Sequence, residues 1–184
     1  MNSEEHILIK ECLGGNNDAF RQIVEKHQDS AYTLAFRITR NNEDAQEVVQ
    51  DSFLKAYNSL SGFKGESKLG TWLYKIVLNM AMSKVRRKKQ SVLYLDEINK
   101  DTADSNEGLK KSERTFWVEK AISSLPEEEA AIVTLFYMED LNLDDISNIV
   151  NLTLTNTKVK LFRARKKLGE ILKQTLKEDL YSIL

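Results

Sequence analysis

The chain has 184 residues with one proline, seven glycines, 41% hydrophobic and 30% charged residues, so helix breakers are few and helix is expected to dominate. No apolar run approaches the roughly 20 residues that span a bilayer, and Glu4 and Glu5 stand where a leader would carry basic residues, so the expectation is a cytoplasmic chain with no membrane insertion. The net charge of -1 argues against nucleic acid only until its distribution is read, because Lys84, Arg86, Arg87, Lys88 and Lys89 form one basic block and the stretch from Lys158 to Lys167 forms another.

In chain order, a short helix is expected around Glu4 to Leu13, ended by Gly14-Gly15. It carries the single cysteine, Cys12, which excludes an internal disulfide and is expected to pack as a small apolar residue. With only His6 and His27 beside it, no zinc site and no cofactor is expected. From Asp18 to Arg40 the positions Phe20, Ile23, Val24, His27, Ala31, Leu34, Ala35 and Ile38 recur at steps of three and four, which predicts an amphipathic core helix.

The next predicted helix, Glu43 to Leu60, turns Ala45, Val48, Val49, Ser52, Phe53, Ala56 and Leu60 to the core. At 100° per residue Leu54 falls in the middle of the opposite face, ringed by Glu47, Gln50, Asp51 and Asn58. A lone exposed leucine is ordinary, but an apolar anchor in a polar ring also has the layout of a protein-binding patch. A polar loop from Gly62 to Gly70 follows, without the Gly-Lys-Ser/Thr ending of a phosphate loop. The helix expected from about Thr71 turns Leu73, Ile76, Val77 and Met80 inward and lines up Trp72, Lys75, Asn79 and Arg86 along one edge. Such a stripe suits single-stranded DNA, with a ring to stack on bases, an amide to read an edge and cations for phosphates. Equally, Trp72 could close the core and the basic run could be plain solvated surface.

Asp96, Glu97, Asp101, Asp104 and Glu107 lie in a stretch without apolar period, read as a solvated linker over residues 91–112 between domains at 1–90 and 113–184. Each half is then expected to bury its own core. In the second half, Leu125-Pro126-Glu127-Glu128-Glu129 reads as a helix start leading through Ala131, Ile132, Leu135 and Phe136. Asn142, with Asp145 three residues on, can cap a helix over Leu143 to Val150; a turn at Asn151 to Thr153 leads into a basic helix from Leu154 to about Leu172. Helix, tight turn and basic helix make a helix-turn-helix. In the last helix Thr157, Leu161, Ala164 and Leu168 share the inner face, leaving Thr155, Asn156, Val159, Phe162, Arg163 and Lys166 outward with Lys158, Lys160, Arg165 and Lys167 on the flanks. No acidic residue occurs from Leu152 to Gly169, as suits a major-groove reader.

The stretches Asp44 to Tyr57, Phe63 to Ser67, Thr71 to Asn79, Leu125-Pro126 and Leu161 to Leu168, in that order, resemble the extracytoplasmic-function sigma factors of bacterial RNA polymerase. The resemblance implies an all-α chain of two small helical domains joined by an acidic flexible linker, the second a helix-turn-helix, with no catalysis of its own. It further implies that Glu47, Gln50, Asp51, Leu54 and Asn58 contact core RNA polymerase. Phe63, Lys64, Trp72, Lys75, Asn79, Arg86 and Arg87 would meet the promoter's -10 element, Asn79 at an extruded base. Thr155, Asn156, Lys158, Val159, Phe162, Arg163 and Lys166 would meet the -35 element. A separate anti-sigma factor is the expected further partner, and the linker's acidity fits either nucleic-acid mimicry or a tether. Where many relatives carry Gly-Thr-Val and a basic-Ser-basic run, this chain has Thr155-Asn156-Thr157-Lys158-Val159-Lys160, so the -35 bases it reads are its own. The rival reading is an autonomous helix-turn-helix regulator, although no heptad seam for a dimer is present. An enzyme is disfavoured, since no activated nucleophile, paired metal-binding carboxylates or nucleotide loop is found.

Overall fold

The computed structural model describes residues 3–95 and 113–182, so the acidic stretch at 96–112 lies outside the described residues. The described residues form eight α-helices and one 3₁₀ turn: α1 (Ser3–Leu13), α2 (Asn17–Thr39), α3 (Asn42–Ser59), the turn Leu60–Gly62, α4 (Leu69–Leu95), α5 (Glu113–Ser123), α6 (Glu127–Tyr137), α7 (Leu143–Val150) and α8 (Leu154–Ser182). Short polar caps set the boundaries. Gly15, at φ 89°, turns the chain out of α1, and the Asn16 side chain accepts from Asp18 N to start α2. Arg40 closes α2 in the left-handed region, its N–H bonding Phe36 O at 2.8 Å, and Asn41 then caps α3 through Asp44 N at 2.8 Å.

In the first half α2, α3 and α4 pack mutually around Ala31, Leu34, Ile38, Ala45, Val48, Leu73 and Val77, while α1 covers a smaller apolar cluster holding Cys12 and Leu69. Burial pushes the Cys12 thiol above its usual range, as suits a packing residue. Gly70 marks a close approach in the first turn of α4: a Cβ there would stand 3.1 Å from His27 Cε1. The His27 ring also bonds Tyr74, with Nδ1 3.2 Å from the hydroxyl. Burial, reinforced by neighbouring Lys26, pushes the His27 pKa down, which favours neutral imidazole. Because the Tyr74 hydroxyl donates to Glu139 Oε2 at 3.3 Å, the neutral ring donates from Nδ1 to Tyr74, leaving Nε2 as an unprotonated acceptor.

The helix-turn-helix forms as its caps dictate. Asn142 accepts from Asp145 N at 2.8 Å and donates to the Asp145 carboxylate at 2.9 Å. Asn151 ends α7 at φ 56°, and Thr153 caps α8 by accepting from Asn156 N at 3.2 Å.

Three expectations are corrected, and one helix is added. The helix from about Thr71 begins at Leu69 and continues to Leu95, five residues into the stretch read as linker. The last helix runs ten residues past Leu172, to Ser182. Helix α5 was not anticipated, although Trp117, Val118, Ala121 and Ile122 recur at steps of three and four and Ser112 stands where a cap residue would. The largest change concerns the core: one continuous buried cluster runs through both halves, with α6 against α2 and α7 against α4. The reason lies in α6, where Ala130 to Leu135 are all buried, so the helix has no solvent face over that run and needs a partner beyond its own domain.

Asn142→Ala removes both cap bonds and is expected to cost about 1 kcal/mol, which for a chain of this size lowers the thermal midpoint by roughly 2–4 °C. A midpoint unchanged within a degree in calorimetry would show that tertiary packing alone holds α7.

Candidate nucleic-acid interface

Three surfaces carry the residues singled out in the sequence. On α3 the core face is closed by Ala45, Val48, Ser52, Phe53 and Ala56, and this leaves Leu54 63% exposed among exposed Glu47, Gln50, Asp51 and Asn58. Sequence reasoning missed the charge behind this ring. Lys84, on α4, meets Glu47 at 2.6 Å and Asp44 at 3.6 Å, and Lys88 meets Asp44 at 2.8 Å. The Glu47 carboxylate, aided by a lesser contribution from Asp44 and opposed by burial, holds the Lys84 pKa above its usual value.

The second surface is the outer edge of α4 with the loop before it. Asn79, Arg86 and Arg87 are exposed, Lys64 is exposed in the loop, and Lys75 is half-buried. The guanidinium groups of Arg86 and Arg87 donate to Ser83, the first to its hydroxyl at 3.2 Å and the second to its carbonyl at 3.4 Å. Trp72 is half-buried and tilted against half-buried Phe63, with ring centroids 5.2 Å apart. Trp72 therefore packs against both buried clusters without being sealed into either. The basic block after it is not one free patch, because Lys84 and Lys88 are tied to α3 and Lys89 to Glu127 of α6 at 2.7 Å. That leaves Arg86 and Arg87 as its cations without a carboxylate partner among the described residues.

The third surface is the outer face of α8. Thr157, Leu161 and Ala164 are buried as expected, whereas Thr155, Asn156, Lys158, Val159, Phe162, Arg163 and Lys166 are exposed, Phe162 at 70%. The flanks sort differently from expectation. Lys160 meets Glu128 at 2.5 Å and Lys167 meets Glu129 at 2.9 Å, so both tie α8 to α6, and Arg165 lies over the Tyr137 ring. Lys158, Arg163 and Lys166 remain with no carboxylate partner among the described residues, and these three can offer charge to phosphate at no cost of a broken pair. The signal that could have found the paired lysines is the triplet Glu127-Glu128-Glu129: three consecutive carboxylates at a helix start fan outward and can each take a different cation.

Among the described residues no group of His, Cys, Asp and Glu could hold a metal ion, and no helix is long and apolar enough to cross a membrane. What the three surfaces offer is binding: an apolar anchor in an acidic ring, and two helix edges that present amides, aromatic rings and unpaired cations.

Comparison with known proteins agrees with this geometry. The family model for sigma-70 region 2 matches residues 23–91, and that for sigma-70 region 4 matches residues 115–168. The chain is 32% identical over 175 residues to the ECF RNA polymerase sigma-E factor of Haemophilus influenzae, covering 88% of this chain and 92% of that one. It is 28% identical over 178 residues to the ECF RNA polymerase sigma factor SigW of Bacillus subtilis, covering 90% and 95% respectively. In fold it resembles the sigma factor RpoE of Bartonella quintana, solved with the anti-sigma factor NepR, at a TM-score of 0.74 and 23% identity over 84% of this chain and 96% of that one. It also resembles CnrH, solved with the cytosolic domain of CnrY, at 0.70 and 22% over 94% and 99%. Two sigma regions in one chain, matched nearly end to end by relatives of the same kind, remove the autonomous-regulator alternative. The chain belongs to the ECF RNA polymerase sigma factors, which are transcription initiation factors and not enzymes.

Proposed function

We propose that this sigma factor divides its work among the three surfaces, within domains at 1–90 and 113–184 joined through 91–112. Glu47, Gln50, Asp51, Leu54 and Asn58 dock on core RNA polymerase. Phe63, Lys64, Trp72, Lys75, Asn79, Arg86 and Arg87 engage the -10 element as single strand, with Asn79 at an extruded base. Thr155, Asn156, Lys158, Val159, Phe162, Arg163 and Lys166 read the -35 duplex. The observation that carries the reading is the exposure of a large apolar side chain at the centre of two charged helix faces, Leu54 on α3 and Phe162 on α8, each opposite a face sealed into the core. Work on promoters places the protein in the cytoplasm. A separate anti-sigma protein holds it in reserve, a reading supported by a relative of the same fold having been solved with one.

Leu54→Ala and Asp51→Arg should each weaken binding to core polymerase, Leu54→Ala by about 2 kcal/mol or some thirtyfold if it is a hot spot. Both positions are exposed, so circular dichroism should stay unchanged; wild-type affinity in both variants would remove this surface from the account.

A duplex base cannot offer its Watson–Crick edge to a side chain, so reading by Asn79 needs a base already out of the stack, at a cost of a few kcal/mol. Asn79→Ala should therefore impair open-complex formation far more than polymerase binding, and a premelted -10 bubble should partly restore transcript yield. Permanganate reactivity of promoter thymines measures the opening. A variant that opens duplex promoters like wild type and keeps its -10 base preference would reduce the stripe to packing.

A further inference from the structure

The outer face of α8 carries an apolar centre inside a basic border. At 100° per residue Thr155, Val159, Phe162 and Lys166 fall within about 60° of one another, a single row along the helix. Asn156 and Arg163 stand on one side of that row and Lys158 on the other. Val159 is 41% and Phe162 70% exposed, large apolar side chains turned outward while Thr157, Leu161 and Ala164 seal the opposite face.

The chemistry of the row limits what it can read. Valine and phenylalanine have no side-chain donor or acceptor, so neither recognises a base edge by hydrogen bonding. Set against cytosine N4 or guanine O6, each would strip water from a polar edge and return no bond. The C5 methyl of thymine is the apolar group that a base pair shows in the major groove. No carboxylate occurs from Leu152 to Gly169 to accept from cytosine N4. Asn156, one turn before Val159, has the amide that pairs with adenine N6 and N7, the edge next to a thymine methyl. Position 159 is also where this chain departs from many relatives: Lys158-Val159-Lys160 replaces the basic-Ser-basic run, exchanging a hydroxyl for an isopropyl group.

Spacing gives the register. From Val159 to Phe162 the helix rises about 4.5 Å, little more than the roughly 3.4 Å step between base pairs. Two side chains of one row, three residues apart, therefore meet adjacent pairs. The border decides between DNA and protein as the occupant. Lys158, Arg163 and Lys166 are exposed around the row and have no carboxylate partner among the described residues, which matches a groove walled by phosphates better than an apolar protein groove.

We propose that Val159 and Phe162 are specificity-determining residues that read thymine methyls on two adjacent A·T pairs of the -35 element, with Asn156 on the adenine edge beside them.

The inference rests on the assignment of α8 to the -35 duplex, and the test separates the two. Holoenzyme assembled from the full chain and purified core polymerase is titrated with a promoter duplex whose use depends on this protein. Deoxyuridine then replaces each thymine of the -35 block in turn, which removes one methyl and leaves every hydrogen-bonding group in place. At two adjacent pairs the change should weaken binding about fourfold each, the worth of one buried methyl-sized group. Val159→Ser should abolish the preference for thymine at one of these pairs and Phe162→Ala at the other, each leaving its neighbour's intact. Both positions are exposed, so circular dichroism should stay as in wild type. Equal binding to thymine and deoxyuridine at every position, or methyl preferences that survive both substitutions, overturns the inference. Variants that keep every DNA preference and lose only their hold on core polymerase would make the row a protein contact and overturn it as well. A duplex with a scrambled -35 block that binds as tightly as the original would instead remove the surface assignment, and this reading with it.

Discussion

The burial of one face of α4 against α2 and α3 is the interaction on which the rest depends. Leu73, Val77 and Ala81 are at most 1% exposed there, and truncating a fully buried leucine such as Leu73 costs on the order of 2–5 kcal/mol, a large part of a small domain's stability. With that face fixed, helical geometry assigns the others. Tyr74 and Lys89 turn towards the second half, Lys84 and Lys88 turn to α3, and Trp72, Asn79 and Arg86 are left on the outer edge. One helix thus backs the exposed ring around Leu54, presents the edge that carries Trp72, Asn79 and Arg86, and meets the neighbouring domain.

Charge is arranged by the same economy of positions. Exposed ion pairs contribute little each, and the links from Lys160 to Glu128 and from Lys167 to Glu129 are better understood as decisions about which lysines are spoken for. Glu127, Glu128 and Glu129 take one cation from α4 and two from α8, and the cations left over are the ones with room for phosphate. A net charge near zero is therefore compatible with DNA binding, because the acid is spent internally and the remaining base is concentrated on two edges.

Much of this was legible in the residues. Helical periodicity located α2, α3, α7 and the inner face of α8, and the caps at Asn142 and Asn151 fixed two boundaries to the residue. Leu54 and Phe162 were legible as exposed because the faces opposite them are uninterrupted. What periodicity could not give was the partner of each charge. Lys84 and Lys167 look like DNA-binding cations from their own helices, and only the approach of α3 and α6 turns them inward. The docking of the two halves was hidden for a related reason. A helix buried all round, such as α6, signals that a second surface covers it but not which one, and Tyr74 reads as one more member of a motif until Glu139 is brought to it by the fold.

The central claim, that this chain supplies promoter choice to RNA polymerase, is tested most directly by transcribing a fragmented genomic library with purified core polymerase, with and without the protein, and sequencing the 5′ ends. Starts that depend on the protein and share two sequence blocks at -10 and -35 are the predicted result. An unchanged set of starts, or protein-dependent starts with no common upstream blocks, would contradict it.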